Sequence, residues 1–366
     1  MEAVAPTAPP AAAESEAAMA LVLGDDDLLR EILLRLGFPT CLVRAAAVSK
    51  RWLRHASDPA FLRRFRARNP PRLLGFYVGH SGVVNHRFVA LPQPPELAVP
   101  VSSCFEDFAG SSPVVMDCRN GRLVIRFWDG TPSNPAEQAL LTFLLEDGGG
   151  VGVTFVVLSH TGRRVSAEVY VLQPDGWGVP TTGVMELPDP EVLHSDWLSP
   201  VHGNIYLAAP ATSGYILGLS LSDARFFILE LPDGVRSNFN LSTAEGSGLY
   251  LVHANRFQLS VWHHRMDGDP AQGWVLADTF CVLEECKHLA HQSWAPADSA
   301  QTGRVSMVAV GDNAEFVFLD IAETGAVVHV HLKSKTVEKV YERMPGDQQP
   351  ARIIPLMMVC PLSSLH

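Results

Sequence analysis

The sequence predicts a mainly β protein. A short N-terminal unit of three helices comes first, followed by an approximately six-bladed β-propeller, with a β-sandwich-type all-β domain as the alternative. Three observations carry this. Apolar residues recur at helical spacing only near the front of the chain. Beyond about Arg72 they fall instead into short runs between turn residues. A turn glycine followed by a strand-like run then returns at intervals near those of a propeller repeat.

Composition sets the bounds. The chain has 366 residues, 47% hydrophobic and 18% charged, which suits one large or two smaller globular domains. Its 28 Gly and 27 Pro suit many turns. The net charge of −11 is unevenly spread. Residues 1–72 hold 11 Lys/Arg and 8 Asp/Glu, a net of +3; the remainder holds 17 and 31, a net of −14. The acidic rear is a poor fit to a phosphate backbone, so nucleic acid is not an expected partner.

Six cysteines, at 41, 104, 118, 281, 286 and 360, include no C-x-x-C pair. At this density they read as reduced, intracellular thiols, with a cytoplasmic or nuclear location. Residues 1–20, Ala/Pro-rich with scattered Glu, lack the basic and apolar regions of a signal peptide and read as a disordered leader. No apolar run is long enough to span a bilayer, so no membrane partner is expected.

The helical unit occupies residues 21–67. Helix one is predicted over Asp25–Leu36, its Asp residues favouring the positive N-terminal end, with Gly37 and Pro39 stopping it. Leu28, Leu29, Ile32, Leu33 and Leu36 fall within an arc of roughly 140°, and Leu34 points away from it. Thr40 is placed to cap a second helix whose apolar face is Leu42, Val43, Ala46 and Ala47, with a break near Ser49 and Trp52 soon after. Asp58 as cap with Pro59 at the first helical position starts a third piece, which presents Phe61, Leu62 and Phe65 and ends at Pro70-Pro71.

Size bears on the stripe. Burying a Leu or Ile contributes roughly 1.5–3 kcal/mol, while ordering each residue costs about 1–2 kcal/mol. A unit this short covers a wide apolar face poorly from within. The stripe therefore needs either the rest of the chain or another protein as its cover.

The residues also carry a resemblance. "DDLLREILLRL…CLVRAAAVSKRWLRHASDPAFLRRF" closely resembles the F-box, from about Leu23 to Phe65. The L-L-x-x-I-L-x-x-L run, L-V-R-A, V-S-K-R-W and S-D-P-x-F-L all occur in order. Where the family usually carries Leu-Pro ahead of the leucine run, this chain has Gly24-Asp25. The resemblance implies docking onto the Skp adaptor of an SCF-type cullin–RING ubiquitin ligase. The matching contact residues are Leu28, Leu29, Ile32, Leu33, Leu36, Leu42, Val43, Val48 and Trp52. From Lys50 to Arg72 the chain holds eight Lys/Arg against one acid. With little aromatic interleaving for base stacking, this reads as a solvated face or a complement to an acidic partner.

The rear domain is predicted over 72–366. Strand candidates at 305–310, 315–321, 326–332 and 336–342 are separated by "GDNA", "AETG" and "KSK", which makes one four-stranded meander. Turn glycines ahead of strands at 82, 121, 162, 203, 248 and 311 lie 39, 41, 41, 45 and 63 apart, the last interval lengthened by an insertion near 284–303. Closure into a propeller removes the sheet edges that so many strands would expose, and "RIIPLMMVCPL" stands where a last strand can pair with the first blade. The segments "AEVYVLQPDGW", "VHGNIYLA" and "FVFLDI…VVHVHLKSKTVEKVY" resemble the C-terminal domains of plant F-box proteins, grass ones especially. That likeness implies a substrate-receptor domain and names no substrate.

Chemistry is sparse. Cys281, Cys286, His288 and His291 could offer zinc two Cys and two His, but C-x4-C-x-H-x2-H is not a finger spacing; an inserted turn is the default and no metal is expected. His329 and His331 share a strand face and read as structural. "DGGGVGV" at 147–153 lacks the end of a phosphate loop and reads as a hairpin turn. "HSDW" at 194–197 fixes no acid–base pair, and neither G-x-S-x-G nor H-E-x-x-H is present. The expectation is a non-catalytic ligase receptor without a cofactor. The alternative is an interaction scaffold with weak or absent adaptor binding, following the Gly24-Asp25 departure.

Overall fold

The computed structural model describes residues 24–69, 72–79, 87–92, 112–119, 122–128, 138–147, 150–188, 197–208, 214–244, 248–265, 273–289, 305–343 and 352–357. The chain divides into two compact units: among the described residues the first holds 24–72 and Met357, the second those from Leu73 to Leu356.

The front unit has four helical segments where three are predicted: α1 (Asp26–Leu34), α2 (Pro39–Ala46), α3 (Lys50–Ala56) and α4 (Pro59–Arg68). The extra end is the break at Ser49, whose hydroxyl caps α3 by accepting from the Trp52 amide at 3.2 Å. Thr40 is not a cap. Pro39 occupies the first turn of α2, where its fixed φ suits the helix and its missing N–H is not needed, so α2 starts earlier than predicted. Asp58 caps α4 as predicted, accepting from the Phe61 amide at 2.8 Å.

Leu29, Leu33, Leu34, Leu42, Ala46, Ala56, Phe61, Leu62 and Phe65 form the core of this unit. Leu34 is a correction: it is 4% exposed, while Leu28, placed within the predicted stripe, is 47% exposed. Both α3 and α4 pack on α1, which a single-stripe reading does not anticipate.

The rear unit is built of antiparallel sheets. β1 (Leu73–Gly79) pairs with β2 (Arg87–Ala90), and β3 (Ser112–Arg119) with β4 (Arg122–Trp128). β5 (Gln138–Asp147), β6 (Gly150–Thr161), β7 (Arg164–Gln173), β8 (Gly176–Trp177) and β9 (Thr181–Glu186) make a five-stranded sheet. Three four-stranded meanders follow: β10 (Trp197–Val201) to β13 (Phe226–Glu230), β14 (Phe239–Thr243) to β17 (Val275–Cys281), and β18 (Val305–Val310) to β21 (Thr336–Glu342). The last meander matches the predicted strands to within a residue. β22 (Arg352–Met357) joins the first sheet in the order β2-β1-β22, so the C-terminal run does close against the start of the domain.

The predicted count of about six blades is slightly high. Among the described residues four sheets hold the four or more strands of a full blade. The remaining five strands, split as three and two, amount to a fifth and share one apolar cluster around Tyr77, Val115 and Ile354. The overcount arises because two of the six marks belong to one set of strands: positions 82 and 121, themselves outside the described residues, fall in sequence between β1 and β2 and between β3 and β4. Gly162, Gly203, Gly248 and Gly311 each mark a different sheet.

Successive sheets pack face to face. Val156, Leu158 and Val165 meet Ile205, Leu207 and Leu217. Further on, Val252, Leu259 and Val261 meet Val317, Leu319 and Val328. β19 (Phe316–Ile321) is buried along its whole length, which explains its unbroken apolar run. Its one charge, Asp320, is matched by the buried Arg343, with Nε 3.2 Å from Oδ1.

Polar side chains staple neighbouring sheets at the hairpin level. The His202 ring donates from Nε2 to the Gly248 carbonyl at 2.9 Å. Ser242 Oγ donates to the Gly311 carbonyl at 2.6 Å and accepts from the Ala314 amide at 3.1 Å. Asn238, at φ 56°, donates to the Ala254 and Val305 carbonyls at 2.6 and 2.8 Å and accepts from the Met307 amide at 2.7 Å. Two of the marker glycines are thus docking points for the preceding sheet. Among the described residues no helix is long and apolar enough to cross a membrane.

Candidate protein-docking site

The front unit begins with a set of charges. Asp25 caps α1, its Oδ1 accepting from the Asp27 and Leu28 amides at 2.8 and 3.0 Å. Asp26 is tied to α3: Arg51 donates to Oδ1 through Nε at 2.8 Å and Nη2 at 2.5 Å, and also to the Gly24 carbonyl at 2.7 Å. The buried His55 places Nε2 3.0 Å from the same oxygen. The Arg51 guanidinium, assisted by His55, holds the Asp26 carboxyl below its ordinary range. The Gly24-Asp25 pair therefore has a local job. It replaces Leu-Pro with a side-chain cap and a carbonyl that receives Arg51.

The nine residues that the resemblance nominates separate by burial. Leu29, Leu33 and Leu42 are fully buried and hold the helices together. Ile32, Leu36, Val43 and Trp52 are half-buried, the last three packed on the rim of that core. Leu28 and Val48 are exposed, at 47% and 66%. Leu53, which sequence reasoning missed, is 39% exposed on α3. Its one local signal is an apolar residue on the short α3, whose start the break at Ser49 fixes. Leu28 and Leu53 sit on the two helices joined by the Asp26–Arg51 clamp.

The rear residues singled out for chemistry do not converge. Cys286, on α5 (Leu283–Leu289), is buried, and burial with Glu285 and Cys281 nearby pushes its thiol up to about 12. Cys281 and His288 are exposed, and His291 lies outside the described residues. Among the described residues no three His, Cys, Asp or Glu gather as metal ligands. His329 packs against Phe316 and Phe318 at 5.2 and 5.3 Å, and burial lowers its pKa. His331 bonds Ser334 through Nδ1, 2.9 Å from its Oγ. Asp147 pairs with Gly150 across the predicted hairpin turn, whose residues 148 and 149 lie outside the described set, as do 194–196 of "HSDW". The front unit presents Leu28, Val48 and Leu53 at its surface; the rear offers no assembled reaction centre among the described residues.

Comparison with known proteins agrees with this division. Residues 25–64 match the F-box domain model. Residues 126–362 match the model described as "F-box protein AT5G49610-like, beta-propeller". No curated protein matches. Among solved structures, the chain is similar to a component of a nidogen/laminin complex at 11% identity and TM-score 0.33, covering 78% of this chain and 98% of that one. It is also similar to virginiamycin B lyase from Staphylococcus aureus at 11% identity and TM-score 0.32, covering 75% and 86%. A prolyl endopeptidase is similar at 14% identity and TM-score 0.29, with 63% of this chain covered and 29% of that one.

Proposed function

This chain belongs to the F-box protein AT5G49610-like β-propeller family, and from that premise we propose that it is the substrate-receptor subunit of an SCF-type cullin–RING E3 ubiquitin ligase. The front unit docks on the Skp adaptor and the propeller holds a target protein. The subunit is non-catalytic: tethering raises the target's effective concentration near the ubiquitin-loaded enzyme, which belongs to the rest of the complex. It works in the cytoplasm or nucleus, on a protein target rather than on nucleic acid or membrane.

The observation that carries this reading is the pattern of the front unit. An F-box-matched helical unit keeps Leu28, Val48 and Leu53 out of its core. Apolar side chains held at a surface favour a partner that removes them from water, each worth roughly 1.5–3 kcal/mol when fully covered. Asp25 and Arg51 complete the entry to α1, which supports adaptor docking over the scaffold reading that the missing Leu-Pro suggests.

The test is co-purification of the full chain with the Skp adaptor and a cullin–RING pair. The expected result is a stable complex that loses the adaptor on Val48→Asp or Leu28→Asp while far-UV circular dichroism is unchanged. A wild-type chain that does not bind the adaptor would leave the scaffold as the better account.

A further inference from the structure

The exposed apolar surface of the rear unit is concentrated at one feature. Eight large apolar side chains of that unit are exposed among the described residues, and five of them, Val171, Leu172, Trp177, Val179 and Val184, lie within 14 positions. Four belong to an arm made of the end of β7, the short β8 and the residues just after it. β7 pairs with β9 only through Arg164–Val169 and then runs on to pair with β8, Leu172 opposite Trp177. Among the described residues the three meanders that follow have four strands each and no such arm.

The arm is held in shape. Gly176 turns it at φ 127°, and the Gly178 amide donates to the Val171 carbonyl at 3.0 Å. The Trp177 ring lies 5.9 Å from Phe155, which lies 6.0 Å from Tyr170. Trp177 is still 52% exposed and Val179 94%. An extension that orders residues without burying their apolar side chains gains little from folding. A preformed platform of this kind loses little entropy when a partner covers it, and an exposed tryptophan is a frequent anchor in such contacts.

Charge identifies the partner. From Val165 to Pro188 the described residues hold Glu168, Asp175 and Glu186 and no Lys or Arg. Glu168 and Asp175 are exposed beside the arm, and the Tyr170 hydroxyl fixes Glu168 by donating to Oε2 at 2.7 Å. A basic segment is attracted to this surface and an acidic one is repelled.

We propose that the β7–β8 arm is the target-docking surface of the propeller, and that it takes a target segment in which apolar or aromatic side chains are flanked by Lys or Arg. This rests on the receptor reading and specifies which targets the receptor selects. Two fluorescein-labelled peptides test it by anisotropy with the full chain. One alternates Trp or Leu with Arg, and the other carries Glu in place of Arg. The basic peptide binds, the acidic one binds at least about tenfold more weakly, and affinity falls as salt rises. Trp177→Ala with Val179→Ser weakens the basic peptide by about tenfold or more, whereas Val275→Ser, at an exposed site on β17, leaves it unchanged. Equal binding of both peptides, wild-type binding by the double variant, or self-association of the chain that Trp177→Ala abolishes would each overturn the proposal. Adaptor co-elution, measured on the same samples, separates this outcome from failure of the receptor reading, because both substituted positions lie outside the front unit's sequence.

Discussion

The two units put their apolar residues to different uses. The front unit buries Leu29, Leu33 and Leu42 completely but leaves Leu28, Val48 and Leu53 at its surface. The meander of β18 to β21 buries every residue of β19 and exposes no large apolar side chain. A unit of four short helices cannot surround itself, so part of its apolar surface becomes available to a partner. Stacked sheets cover one another, so apolar exposure there, as on the β7–β8 arm, is a departure that asks for a reason.

Core substitutions should break the contrast most strongly. Leu33→Ala leaves a cavity in a small core and is expected to destabilise the front unit by about 2–5 kcal/mol, enough to abolish its helical signal and adaptor binding together. Chemical denaturation followed by circular dichroism checks it. If Leu33→Ala lowers adaptor binding with the unit still folded, Leu33 belongs to the interface and the division by burial is wrong.

The stapling between sheets is expected to come next. Asn238→Ala strands two carbonyls and an amide and places Ala at a positive φ, for a loss of about 2–4 kcal/mol. Asn238→Gly should recover about 1 kcal/mol of that, since glycine accepts the backbone conformation but makes none of the bonds. Urea midpoints of the two variants test the order. Equal losses would assign the whole effect to the hydrogen bonds.

Acid should separate the units further. His253, His264 and His329 have pKa values lowered by burial. In the unfolded chain they take up protons near the ordinary value of about 6.5, so the folded rear unit is favoured above that pH and loses stability as pH falls below it. Thermal melts between pH 7 and 5 check this, and His329→Leu should flatten the dependence. The smallest effect is at Asp26. Its depressed carboxyl pKa stabilises the front unit above the usual carboxylate range and ceases to do so as acid protonates it. Asp26→Asn is expected to lower the front unit's melting temperature slightly at neutral pH and not at all in acid.

The front unit was the more legible in sequence because its determinants are local. Asp58-Pro59 starts a helix by chemistry confined to a few residues, and the whole motif lies within one stretch. What sequence hid there was burial. Leu28 and Leu34 differ in exposure because of helices that pack from elsewhere, and periodicity on one helix sees only its own stripe. In the rear, the last meander was readable because Gly311 and Gly325 separate its strands closely. The blade count was not, since the turns at 82 and 121 look like marks of two blades while the strands that flank them, β1 to β4, belong to one. The β7–β8 arm was hidden for a similar reason: "VYVLQPDGW" reads as an ordinary strand and turn, and only the pairing of β7 with both β8 and β9 leaves Trp177 without cover.

Hydrogen exchange of the full chain, with and without the Skp adaptor, tests the central claim most directly. The account predicts new protection on α1 and on residues 48–56, where Leu28, Val48 and Leu53 lie, with the β18–β21 meander unchanged. Protection confined to the propeller, or none anywhere, would contradict it.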